Sequence, residues 1–258
     1  MLSIGCREAA QTPPLIKTET LVYNYNDQTY EGFLAYDENN ELPRPGVVIF
    51  HQWTGLTDYE KRRARELAEL GYVAFAADLY GQGVRPEGPE EAGKQAGKFY
   101  ADREMFRERV NLGLSQLRKQ PFVDKEHVAA IGYCFGGTAA LELGRSGAEL
   151  SGLVSFHGGL ANPNPDDAKN FRCPVLVQHG ADDSMVNPEV EGFLKEMDEA
   201  DADYIFVEFA NAVHAFTQPM AGDDPSTGVA YNKKADKRSW MFMQDFFDEI
   251  FGETVTDM

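Results

Sequence analysis

Cys134 stands in the segment Gly132-Tyr-Cys-Phe-Gly136-Gly137, with a glycine two places to either side. A short apolar run, Val128 to Ile131, leads into it, and Thr138-Ala-Ala-Leu-Glu-Leu-Gly144, a good helix former, leads out. A side chain on so sharp a strand-to-helix turn needs a strained backbone, and glycines beside it let strand and helix approach closely. The turn places the sulfur at a helix N-terminus, where the dipole and free N–H groups favour the thiolate. A thiolate attacks an acyl carbon when a histidine handles its proton and a carboxylate holds the histidine. The chain offers both groups downstream, in Gly180-Ala-Asp182-Asp183-Ser-Met-Val186 and at His214. The competing reading is an inert buried cysteine in an ordinary strand–helix unit.

Those residues meet only if the elements between them fold into one sheet. Ile16 to Asn26 and Thr29 to Tyr36 alternate apolar and polar residues around Asn26-Asp27, which predicts an antiparallel hairpin at a sheet edge. Gly46–His51, Tyr72–Ala77, Gly152–Phe156, Pro174–Gln178 and Tyr204–Phe209 read as short strands. Those with a continuous apolar run fit a parallel sheet buried on both faces. Helices are expected near Asp58–Leu70, Phe99–Lys119, Pro188–Glu199 and Ala230–Ile250, with loops over 81–95 and 221–228. This alternation predicts an α/β fold: a doubly wound, mostly parallel sheet with helices on both faces and an antiparallel N-terminal edge hairpin. One domain is expected over residues 16–258, after a flexible tail over 1–15.

With cysteine in the serine place, the turn is the nucleophile elbow of an α/β hydrolase, whose acid and histidine follow in that order. Loops at the carboxyl ends of the strands gather on one side of such a sheet. His51, His157 and His179 also end strands and compete for the base role. His179 precedes the acid loop and His157 ends a different strand, whereas His214 follows the last strand. Either Asp182 or Asp183 can serve as the acid. For a developing oxyanion, the N–H of Phe135 is one donor, and that of Trp53 or Gln52 the other.

The balance of 24 basic against 42 acidic residues gives a net charge of -18. Such a charge opposes nucleic acid or an anionic membrane as a partner. No stretch is long enough to span a membrane. The three cysteines, at 6, 134 and 173, have neither paired metal-ligand spacing nor an even disulfide framework, so no metal is expected. A cytoplasmic location is expected. The alternative is an exported lipoprotein attached through Cys6, because Ser3-Ile-Gly-Cys6 looks like the end of a truncated lipoprotein signal.

From about Lys17 to Phe251 the chain resembles the dienelactone hydrolase family. The matching segments are Gly32-Phe-Leu-Ala-Tyr36, Asp78-Leu-Tyr-Gly81, Gly132-Tyr-Cys-Phe-Gly-Gly137, Gly180-x-x-Asp183-x-x-Val186 and Val213-His-Ala-Phe216. The resemblance implies a Cys134–His214–Asp183 triad that hydrolyses a small-molecule ester or lactone through an acyl-enzyme, without a cofactor. It favours Asp183 over Asp182. Gln52 stands where the dienelactone-specific enzymes carry a glutamate that partners the resting cysteine. Gln82 and Gln218 stand where those enzymes clamp a substrate carboxylate with arginines. Losing bidentate cationic clamps predicts a less anionic substrate. Arg85, Tyr133 and Phe216 join Gln82 and Gln218 as pocket candidates. The alternative is a catalytically silent protein of this fold that binds a ligand or partner.

Overall fold

A computed structural model describes residues 13–252. Cys6 and most of the expected tail lie outside them. Strands β1 (Ile16–Tyr25) and β2 (Gln28–Asp37) form the expected hairpin, in register from Ile16↔Asp37 to Tyr25↔Gln28. Then follow β3 (Arg44–Phe50), β4 (Val73–Ala77), β5 (Val123–Tyr133), β6 (Gly152–Phe156), β7 (Val175–Gly180) and β8 (Tyr204–Phe209). They make one sheet in the order β1-β2-β4-β3-β5-β6-β7-β8. β2 joins β4 antiparallel, and every pairing from β4 onward is parallel.

Helix α1 (Asp58–Glu69) opens on a capping box, with Thr57 and Glu60 satisfying each other's backbone N–H groups. With the final helix α6 (Lys233–Phe251), it covers a core face that includes Val47, Ile49, Ile131 and Phe247. Helices α3 (Arg103–Arg118), α4 (Phe135–Arg145) and α5 (Asn187–Glu199) cover the other face, around Val48, Phe50, Ala130, Phe106 and Phe135. Strands β3, β4, β6 and β7 and the Val128–Tyr133 half of β5 are buried on both sides, which is why they carry few polar residues.

One expected region folds differently. Residues 81–95 are not all loop, and the helix predicted over Phe99–Lys119 is two. Helix α2 spans Gly88–Ala101, with Pro89 in its first turn, and the chain breaks at Asp102. The Asp102 side chain accepts the N–H of Met105 and so restarts the chain as α3. The break turns Tyr100 and Arg103 toward the ends of the strands.

Strand order reverses at β3, whose neighbours are β4 on one side and β5 on the other. In open α/β sheets the crevice beyond the carboxyl ends at such a point is where ligands bind. The loop after β3 carries Gln52 and Trp53, and Cys134 follows β5 directly.

Candidate active site

Cys134 has φ 56° and ψ -117°, the strained backbone of a sharp elbow. The flanking glycines are demanded by space. A Cβ on Gly132 would lie 1.8 Å from the Gly136 carbonyl oxygen, and one on Gly136 would lie 2.1 Å from that of Phe50. Cys134 is also the N-cap residue of α4, so its sulfur meets the positive end of an 11-residue helix.

His214 lies in the loop after β8, where a single parallel bridge to Val229 and the Ala230 N–H donated to its carbonyl hold the backbone. Its Nε2 is 3.1 Å from Cys134 Sγ, and its Nδ1 is 2.7 Å from Asp183 Oδ2. Burial opposes a charge on this ring. The negative charge on Cys134 and the hydrogen bond to Asp183 outweigh it and push His214 up to about 10. Asp183 is fully buried, and its Oδ1 accepts the N–H groups of Met185 and Val186 at 3.1 and 3.2 Å. Asp182 is exposed and offers only its N–H, to the Ala212 carbonyl.

The three competing histidines are engaged elsewhere. His51 Nδ1 lies 2.6 Å from the Gln52 carbonyl, and its Nε2 accepts the Leu79 N–H. His179 pairs with Asn187 at 2.6 Å. His157 packs edge-on against His214, ring centroids 5.4 Å apart, and pairs with Thr217 at 2.8 Å. Burial and the neighbouring His214 charge hold His157 well below the ordinary histidine range, so it stays neutral.

Cys134 and His214 open onto a cavity of about 720 Å³. Of the residues expected to shape it, Gln52, Trp53, Phe135 and Gln218 line it. Four others do not. Tyr133, one residue before Cys134 on β5, points to the opposite face of the sheet and packs on Tyr59 and Phe156. Phe216 is buried against His157 and Phe209. Gln82 turns back to the hairpin and donates to Glu31, while Arg85 donates to the Leu56 and Val84 carbonyls. The wall is completed by residues that the sequence pattern did not single out: Tyr100, Arg103, Thr138, Met185, Glu189 and Met220. Asp102, three places ahead of Met105 in a predicted helix, was the one local signal of the break that brings two of them here.

A protein described as a dienelactone hydrolase-like promiscuous phosphotriesterase, from metagenomic libraries, has a crystal structure that superposes with a TM-score of 0.87 at 39% identity. The match covers 91% of this chain and 98% of that one. A putative carboxymethylenebutenolidase of Aquifex aeolicus is 26% identical over 79% of this chain and 87% of its own. The carboxymethylenebutenolidase of a Pseudomonas strain is 26% identical over 67% of this chain and 74% of its own. Among the described residues, no helix is long and apolar enough to cross a membrane. Residues 30–251 match the model of the dienelactone hydrolase family, and with these relatives and this fold the chain belongs to that family and is a hydrolase of the ester and lactone type.

Proposed function

We propose that the chain hydrolyses a carboxylic ester or lactone less anionic than dienelactone through a Cys134–His214–Asp183 triad and an acyl-enzyme. The observation that carries this is the continuous relay from Cys134 Sγ through His214 to buried Asp183, opening onto a cavity. Cys134 Sγ attacks the carbonyl carbon, forming a C–S bond as the carbonyl electron pair moves to oxygen. The free N–H of Phe135 holds the oxyanion, with that of Trp53 opposite. Neither N–H has a partner among the described residues, whereas the Gln52 N–H is drawn to buried Glu60 at 3.3 Å. Collapse of the intermediate breaks the C–O bond, and His214 Nε2 gives its proton to the departing oxygen. The imidazole then takes a proton from water, which attacks the thioester and releases the Cys134 thiolate. Asp183 stays ionised and fixes the tautomer.

Gln52 in place of a glutamate does not favour the silent reading, because Cys134 already has a partner in His214. Mixing the enzyme with a p-nitrophenyl alkanoate should release a burst of p-nitrophenol equal to the enzyme, then a steady phase. Cys134→Ala should abolish both, a loss of about a thousandfold or more in turnover. A Cys134→Ala protein that retains the burst removes the cysteine from the chemistry.

A second substrate class has specific support. The 39% identical relative is a promiscuous phosphotriesterase, and an uncharged triester suits a cavity whose Arg103 is already committed to Glu142 and the Ala161 carbonyl. A diethyl aryl phosphate should leave one phosphoryl group on Cys134, seen by mass spectrometry. An unmodified protein and no aryl alcohol release would remove this second reading.

A further inference from the structure

Among the described residues, an acidic and a basic side chain line the cavity besides Cys134 and His214, namely Glu189 and Arg103. Their hydrogen bonds make them unequal. Arg103 Nη1 donates to Glu142 Oε1 at 3.2 Å, and Nη2 to the Ala161 carbonyl at 3.3 Å. Its Nε is sealed from solvent without a partner, and the guanidinium lies over the Tyr100 ring, 5.3 Å from the centroid. Glu142 is fully buried and also binds Arg107 and Arg145, so the Arg103 charge is compensated within a buried ion network.

Glu189 opens α5. One of its oxygens, Oε2, accepts both the Leu160 and Ala161 N–H groups, at 2.6 and 2.9 Å. The other oxygen, Oε1, has no partner among the described residues. Tyr100 lines the cavity together with the nucleophile and this carboxylate. Burial pushes the Tyr100 hydroxyl up to about 12, the Cys134 and Glu189 charges push it the same way, and Thr138 and Arg103 oppose them. One phenol therefore senses both the sulfur and the Glu189 carboxylate. Thr138, on the first turn of α4, adjoins the same spot, since a Cβ on Gly159 would lie 3.1 Å from its hydroxyl and 3.7 Å from Glu189 Oε2.

We propose that Glu189 is a specificity-determining residue whose free carboxylate oxygen selects esters carrying a hydrogen-bond donor, above all an ammonium group, on the acyl chain. This rests on the hydrolase reading above and names the substrate class of the same site. A carboxylate-bearing acyl chain meets repulsion from Oε1, and the Arg103 charge is already paired with Glu142. An ammonium finds a charge-assisted acceptor in a partly desolvated wall.

The substitution Glu189→Gln makes a sharp test because the loop dictates how the amide sits. Leu160 and Ala161 both donate to one oxygen, so the glutamine must keep its carbonyl there and turn its N–H₂ group into the cavity. An acceptor becomes a donor with the loop contacts kept. The probes are p-nitrophenyl esters of matched chains, about four to six carbons long, ending in methyl, ammonium or carboxylate. The quantity is the ammonium-to-carboxylate ratio of kcat/KM within each protein, so a shared loss from folding cancels. In the wild type it should be about tenfold or more, the scale of a hydrogen bond to a charged group, and in Glu189→Gln it should fall to one or below. A wild-type ratio near one, a preference for carboxylate, or a ratio unmoved by Glu189→Gln overturns the assignment. If the wild type hydrolyses not even the methyl ester, the catalytic reading fails on its own. The charge preference is then decided by calorimetric titration of the intact esters into Cys134→Ala, tight carboxylate binding counting against it.

Discussion

Cys134 and Cys173 share one fold and stand in opposite surroundings. Cys134 sits on a positive-φ elbow at the end of a helix, with an imidazole nitrogen at 3.1 Å and a cavity in front of it. Cys173 lies buried just ahead of β7, where burial pushes its thiol up to about 12 and the Asp203 charge adds to the effect. A thiol becomes a nucleophile through what surrounds it, and burial without a cationic partner makes it inert. The comparison breaks most visibly under an alkylating agent. At neutral pH, iodoacetamide should label Cys134 ~1,000-fold or more faster than Cys173, followed by peptide mass spectrometry, because so little of Cys173 is thiolate. Equal rates would remove the distinction between the two environments.

The acid loop offers a second, finer contrast. Adjacent Asp182 and Asp183 differ only in which way the turn after β7 points them, and the turn buries Asp183 against His214 while leaving Asp182 in solvent. Asp183→Asn should lower kcat by about 100- to 10,000-fold through the wrong imidazole tautomer. Asp182→Asn should change it by about threefold or less, since among the described residues Asp182 is seen to hydrogen-bond only through its backbone N–H. A larger loss from Asp182→Asn would move the acid one residue back.

Much of this arrangement was legible from the chain because the signals were local. Continuous apolar runs marked the strands, and the glycine spacing around Cys134 reported the close approach of β5 and α4. The order of elements brought His214 to the same end of the sheet. The residues by themselves left Asp182 and Asp183 open as the acid, and only the family resemblance of Gly180-x-x-Asp183-x-x-Val186 favoured Asp183. The cavity wall was another matter. Tyr133 adjoins Cys134 and Phe216 lies two residues after His214, yet the pleat turns Tyr133 to the far face and Phe216 packs under His157. Gln82 and Arg85 are drawn to the hairpin and to loop carbonyls. Tyr100, Arg103 and Glu189 come from three elements and meet through tertiary packing; Asp102 signals the break that carries the first two, and no spacing in the chain brings Glu189 to them.

The smallest expected effect probes the relay itself, and the comparison is between His214 and His157, rings 5.4 Å apart. His157 is buried and His214 largely so, and desolvation alone would hold both neutral. His157 follows that rule, with a hydroxyl as its partner, while His214 is pushed up to about 10 because a sulfur and a carboxylate flank it. Removing the sulfur as Cys134→Ala should therefore lower the His214 titration midpoint, read from its ring signals by NMR, without bringing it down to that of His157, because Asp183 still pairs with it. The sign carries into stability. A histidine raised above its ordinary 6.5 contributes stability that is complete below that pH and is lost as pH rises through the folded-state value near 10. In Cys134→Ala the His214 contribution should be lost at lower pH, measured as the urea midpoint across the range from 6 to 10. An unshifted midpoint in the NMR titration would mean that Asp183 alone holds the imidazolium, and the thiolate–imidazolium pair would no longer describe the resting enzyme.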